Sequence, residues 1–133
     1  MVVEELAAYL SAQGLGVLGT DMWLHVSPNE PDEQMTIIEY AGDEPEFTQN
    51  DRGVDTENPR VQIAVRSEQP EVARLLAEQV YQALMKIRNE LLNGTRILWC
   101  RPIDVPALAG RDDSGRFLVT CNFNVKKELT NVS

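Results

Sequence analysis

The chain predicts an α+β fold of two layers: a mostly antiparallel sheet of about five strands, with a long helix over residues 70–92 and a short N-terminal helix packed on one face. Three observations carry this. Apolar residues recur at intervals of three and four through Val72, Leu75, Leu76, Val80, Ala83, Leu84, Ile87 and Leu91, which is one face of a helix. Residues 60–66 and 116–127 alternate apolar and polar, the period of a strand. At 133 residues, 43% hydrophobic and 25% charged, the chain has material for a single core, so 1–133 reads as one domain.

Residues 2–13 form the short first helix, with Val3, Leu6, Ala7 and Leu10 on one face and Gly14 ending it. Gly14, Gly16 and Gly19 match the letters of a dinucleotide-binding fingerprint. That fingerprint works only between a strand and the N-terminus of the following helix. Here a helix comes before and a strand after, so the match carries no chemistry. Residues 22–26 and 35–40 are strands, joined through the Pro-rich acidic turn 27–33 in what reads as a hairpin. Residues 41–59 lack periodicity and hold Asp43, Glu44, Glu46, Asp51, Asp55 and Glu57 against one cation, Arg52. They read as a long acidic loop, either solvated or a contact arm. Their oxygens do not alternate around a glycine as a calcium loop requires.

Val61, Ile63 and Val65 share one face of the strand 60–66. Pro70 suits the first position of the long helix and Gly94 its left-handed stop after Asn93, for a length of roughly 34 Å. Residues 95–103 form another strand, closed by Pro102 and Pro106. Residues 110–115 make a turn in which Asp112 and Asp113 cap the backbone or pair with Arg111 and Arg116. The last strand, 116–127, points Phe117, Val119, Cys121, Phe123 and Val125 one way, and residues 128–133 read as a flexible tail. Trp23 or Trp99, Leu98, Leu118 and Tyr40 cannot all fit under the helices. They leave an apolar sheet face, which is an interaction surface by default.

Composition narrows the function. A net charge of −9 opposes a protein that grips nucleic acid. No stretch approaches a membrane span, and Glu4 and Glu5 stand where a signal peptide would be basic. Cys100 and Cys121 read as buried thiols. His25 is the only histidine and has no cysteine cluster to complete a zinc site. No nucleophile with a base, no metal cluster and no phosphate loop is evident. The chain therefore reads as a binding or assembly protein without enzymatic activity, cofactor or metal.

A series of features runs along most of the chain. The first helix closes on Gly14-Leu-Gly16, followed by a strand, a turn from Pro28 to Asp32 and a strand ending near Gly42. Pro59-Arg-Val-Gln-Ile-Ala-Val-Arg66 precedes the long helix, and residues 106–116 lead into a strand with Asn122-Phe123-Asn124-Val125. In that order and spacing, the chain resembles the phage minor capsid or tail terminator family, small proteins that close the top of a long tail and join it to the head. The resemblance implies a structural virion protein assembled as a homo-hexameric ring, contacting the tail tube protein and a head-side connector or stopper. DNA passes through such a ring, and an acidic channel would keep it from sticking. It also implies a virion location, with assembly in the host cytoplasm. In that picture Arg60, Arg66, Arg111 and Arg116 pair with acids of the neighbouring subunit, with Asp112 and Asp113 beside them. Asp43, Glu44, Glu46, Asp51, Asp55 and Glu57 reach a neighbour or the tube. Two other classes stay open: a monomeric or dimeric chaperone-like module binding a peptide along a sheet edge, and an enzyme using His25 with Asp112 or Asp113.

Overall fold

The computed structural model describes residues 2–46 and 56–128, the side chains of 43–46 aside. Two helices, α1 (Val2–Ala12) and α2 (Pro70–Met85), accompany seven strands: β1 (Met22–Leu24), β2 (Gln34–Glu46), β3 (Thr56–Ser67), β4 (Arg88–Leu92), β5 (Thr95–Pro102), β6 (Ala107–Arg111) and β7 (Phe117–Glu128). The strands form one sheet in the order β1-β2-β3-β7-β5-β4, with β6 on β7, and it curls into a half-barrel. This corrects the expected five-stranded, two-layer sheet under a helix spanning 70–92.

The helix is shorter because a hairpin takes its last turn. α2 stops at Met85, and β4 turns back into β5 through Asn93 and Gly94, both at positive φ (49° and 85°), with Leu92 facing Thr95. That is a type I′ two-residue turn, which Asn-Gly favours because both positions need a left-handed backbone. Gly94 closes a hairpin and not a helix. The buried face of α2 is also rotated from the predicted one. Ala73, Ala77, Val80, Ala83 and Leu84 are buried, whereas Val72 and Leu75 are exposed.

The expected loop at 41–59 is a continuation of two paired strands. β2 and β3 stay antiparallel from Gln34↔Arg66 out to Glu46↔Thr56, with two register shifts along the way. Pro59, which cannot donate to a ladder, sits opposite Gly42 between those shifts. A Cβ on Gly42 would lie 2.7 Å from the Asn58 carbonyl oxygen, so the close strand approach requires glycine there. Residues 47–55 lie outside the described residues, as does the expected tail from 129 onward; Glu128 belongs to β7. β1 pairs with β2 in parallel, not as a hairpin. β6, a strand the sequence reading does not predict, overlaps the expected turn at 110–111 and pairs with the first half of β7, where β5 does not reach.

Both helices fill the concave side. α2 lies over β3, β7 and β5, against Val61, Ile63, Val65, Val119, Cys121, Phe123 and Val125, all buried. The Tyr81 and Phe123 rings meet at 5.9 Å. α1 touches β1 and β2 at one end of the sheet and β4 at the other. It is tied to both sides by hydrogen bonds: the Val2 amide donates to Glu39 Oε1 (3.0 Å), and the Thr95 hydroxyl donates to Glu5 Oε1 (2.9 Å). The first helix thus bridges the opening of the half-barrel.

Candidate functional site

Along β3 and β7 the convex face of the sheet alternates with the core. One end of it is a clamp. Arg66, at the end of β3, and Arg116, just before β7, are 6% and 5% exposed and grip the segment 27–32. Arg66 Nη2 donates to the carbonyls of Pro28 (2.8 Å), Asn29 (3.0 Å) and Pro31 (2.8 Å); Nη1 reaches Ser27 Oγ and Nε the Asp32 carbonyl. Arg116 donates to Asp112 Oδ2 (2.8 Å), Asp32 Oδ1 (3.1 Å), Asn29 Oδ1 (3.0 Å) and the Asn29 carbonyl. Gln34 completes the site, donating to the Pro28 and Pro31 carbonyls while its Oε1 accepts from Ser27. Buried guanidinium groups need this many acceptors, because an unmatched one is costly.

The structure therefore brings Arg66, Asp112 and Arg116 together and turns them inward. Arg111 is exposed at the end of β6, its guanidinium 4.3 Å from the Phe117 ring centroid. Arg60 lies on the convex face, its Nε donating to Asn124 Oδ1 (3.1 Å). Glu57 pairs with Lys127 at 3.1 Å, directly across from it in β7. Asp113 is exposed in the turn before β7. Asp43, Glu44 and Glu46 lie along β2, while Asp51 and Asp55 fall outside the described residues.

A cavity of about 340 Å³ opens on the convex face beside the clamp, lined by His25, Ser27, Thr36, Ile38, Ala64, Arg66, Asp112 and Leu118. It brings His25 and Asp112 to one place, as an enzyme built on them would need. The Asp112 carboxylate is already occupied, however, accepting from the Ser114 and Arg116 amides and from Arg116 Nε. Desolvation pushes its pKa up, but the hydrogen bonds and charge of Arg116 outweigh that and hold it below the usual carboxylate range. A carboxylate stabilised in its charged form is a poor proton acceptor near neutrality. Among the described residues no group of three His, Cys, Asp or Glu is placed to hold a metal ion, and no helix is long and apolar enough to cross a membrane.

The other end of the convex face carries residues that the sequence reading did not single out. Register pairs Arg60 with Asn124 and Asn124 with Arg101, and it pairs Lys126 with Trp99 and Trp99 with Arg88. Directly opposed residues share a face, so Arg60, Arg101, Lys126 and Trp99 lie together, whereas the Arg88 guanidinium turns to the Met85 and Ile87 carbonyls (2.7 and 2.8 Å) at the end of α2. The Arg101 guanidinium stacks on Trp99, 4.2 Å from the ring centroid, within cation–π range. The outward alternation of Trp99 was legible. The band itself was not, because its members come from β3, β5 and β7.

A sequence profile of a family described as bacteriophage tail terminator protein matches residues 9–129. The chain belongs to this family. This terminator is thus a structural protein of a phage virion. Among solved structures it is similar to a chain of the virion of a native gene transfer agent particle, with a TM-score of 0.60 and 16% identity. The match covers 96% of this chain and 92% of that one, and it establishes the shared fold. No curated protein matches the chain in sequence.

Proposed function

We propose that this terminator caps the tail tube of a long-tailed phage as a ring of six copies and presents the other side of the ring to the head-side connector. The family match across residues 9–129 carries the reading. The physical parts are consistent with it. The sheet ends in unlike elements, β1 on one side and β4 on the other, and a contact between unlike surfaces repeats around a ring when its rotation closes. The net charge of −9 suits a channel that DNA must traverse without adhering. Of the predicted contact residues, Arg111 and Asp113 are exposed and would meet neighbours or the tube, in the host cytoplasm during assembly and then in the virion.

The test uses tubes polymerised from the tail tube protein. Added terminator should appear as a ring at one end in negative-stain images and stop further growth. Tubes that bind none of it, and grow unchecked, would sink this reading. The second reading, a module that binds an extended peptide, draws on the outer edge of β6, which has no strand partner among the described residues. A stable dimer that ignores tail tubes would promote it.

A further inference from the structure

Three strands of the described sheet have a neighbour on one side only: β1, β4 and β6. Two of these edges are blocked. On β1 the Met22 and Leu24 carbonyls accept from the Gly19 and Val26 amides (2.9 and 2.8 Å), and Leu18 bridges to Met22 alongside. On β4, Asn89 takes φ +52° and its carbonyl accepts from Arg96 Nη1 (3.0 Å). Such kinks and caps keep an edge from pairing with a foreign strand. β6 pairs with β7 alone, and Ala107, Leu108 and Ala109 are all exposed, with no charge among them. A register shift between Leu108 and Gly110 bends the strand without covering it.

The core is also open at this edge. Leu108 stands opposite Val119, so it faces the side of the sheet on which α2 lies, yet it is 59% exposed. Between Leu108 and the first turn of α2, at Pro70 and Arg74, a cleft of about 300 Å³ runs down to the buried Val119. A strand laid beside β6 places every second side chain on this face. One of them falls beside Leu108 and over the cleft, where an aliphatic or phenyl group fits.

We propose that the edge of β6 and this cleft receive an extended segment of the tail tube protein, added as one more strand with an uncharged apolar side chain against Leu108. The proposal rests on the capping reading above and names where the tube is held. Elimination picks the occupant. A ring needs a contact between unlike surfaces. With β1 and β4 blocked, the described strands of a second copy offer this edge only another β6, and that two-fold pairing does not propagate. The edge is left for a different protein, and a tube end is the first that a capping ring meets. Glu71 and Arg74 flank the cleft with one charge of each sign, so the seat favours a neutral side chain. Backbone pairing then supplies the strength and the cleft the selectivity.

The test follows hydrogen exchange of the β6 amides in free terminator, over a concentration series, and on tubes polymerised from the tail tube protein. Amides that point away from β7 exchange fast in the free protein and should slow at least about tenfold on tubes, as new backbone bonds form. Leu108→Lys, at an exposed position, should bind tube ends at least about tenfold more weakly, the loss expected for a buried apolar anchor. Leu75→Lys, exposed on α2 and outside the cleft, should bind as wild type does. Circular dichroism confirms that both variants are folded. Capped tubes with β6 exchange unchanged, or with Leu108→Lys capping normally, overturn the docking site and leave the capping function standing. Slowing that appears without tubes as concentration rises places a second copy on the edge and also overturns it. Tubes that wild type does not bind at all remove the capping reading and this occupant together.

Discussion

Arg66 does more for this fold than any other charged side chain described, since five acceptors converge on one buried guanidinium. Arg66 and Arg116, expected to pair with acids of a neighbouring subunit, are buried within the chain, so replacing either should cost stability first. Arg66→Ala should lower unfolding free energy by about 3 kcal/mol in urea titration, through stranded carbonyls and a loosened 27–32 segment. Arg101→Ala, on the exposed band, should change it by less than about 0.5 kcal/mol. Asp112 gives the clamp a pH dependence. Its pKa is depressed on folding, so its contribution is present above its unfolded value and is lost as pH falls through the folded one. Thermal scans between pH 6 and pH 3 should show a falling Tm, and Asp112→Asn should flatten part of that slope while lowering Tm at neutral pH. The two thiols make a third case. Burial pushes Cys100 and Cys121 up to about 12, so neither should react with a thiol reagent at pH 8 until denaturant is added.

At the scale of elements, strand interiors were legible and helix ends were not. β3 and β7 were readable because one residue in two faces the core, and Pro70 marked the start of α2. The end of α2 was hidden because Ile87 and Leu91 continue the helical spacing by coincidence; Ile87 is buried just past the helix, and Leu91 is exposed in β4. The Asn93-Gly94 pair was the signal that could have corrected this, since it satisfies a I′ turn as well as a helix stop. Gly94→Ala places a Cβ at φ +85° and should cost about 1 kcal/mol, seen as a lower Tm without loss of sheet signal. β6 escaped notice because its Ala107, Leu108 and Ala109 are all exposed, so no alternation marks it. The clamp and the basic band were illegible for a shared reason. Arg66 meets residues 27–32 only after folding, and the band exists only once β3, β5 and β7 are in register.

At the scale of the molecule, most of the arrangement follows from curling one sheet around two helices and closing its opening with α1. The curl leaves the convex face without a helix over it. The order of the strands also has a temporal meaning. β7, between β3 and β5 in the sheet, follows all the other described strands in the chain. Until it emerges, β1, β2 and β3 on one side and β4 and β5 on the other have no strand joining them, and α1 has no complete groove to span. A chain stopped at Gly115 should therefore show no cooperative thermal transition and should bind a hydrophobic dye, while the full chain melts in one step. The convex face thus comes into being only once β7 is made, so shorter chains lack the surface that the proposed ring would use.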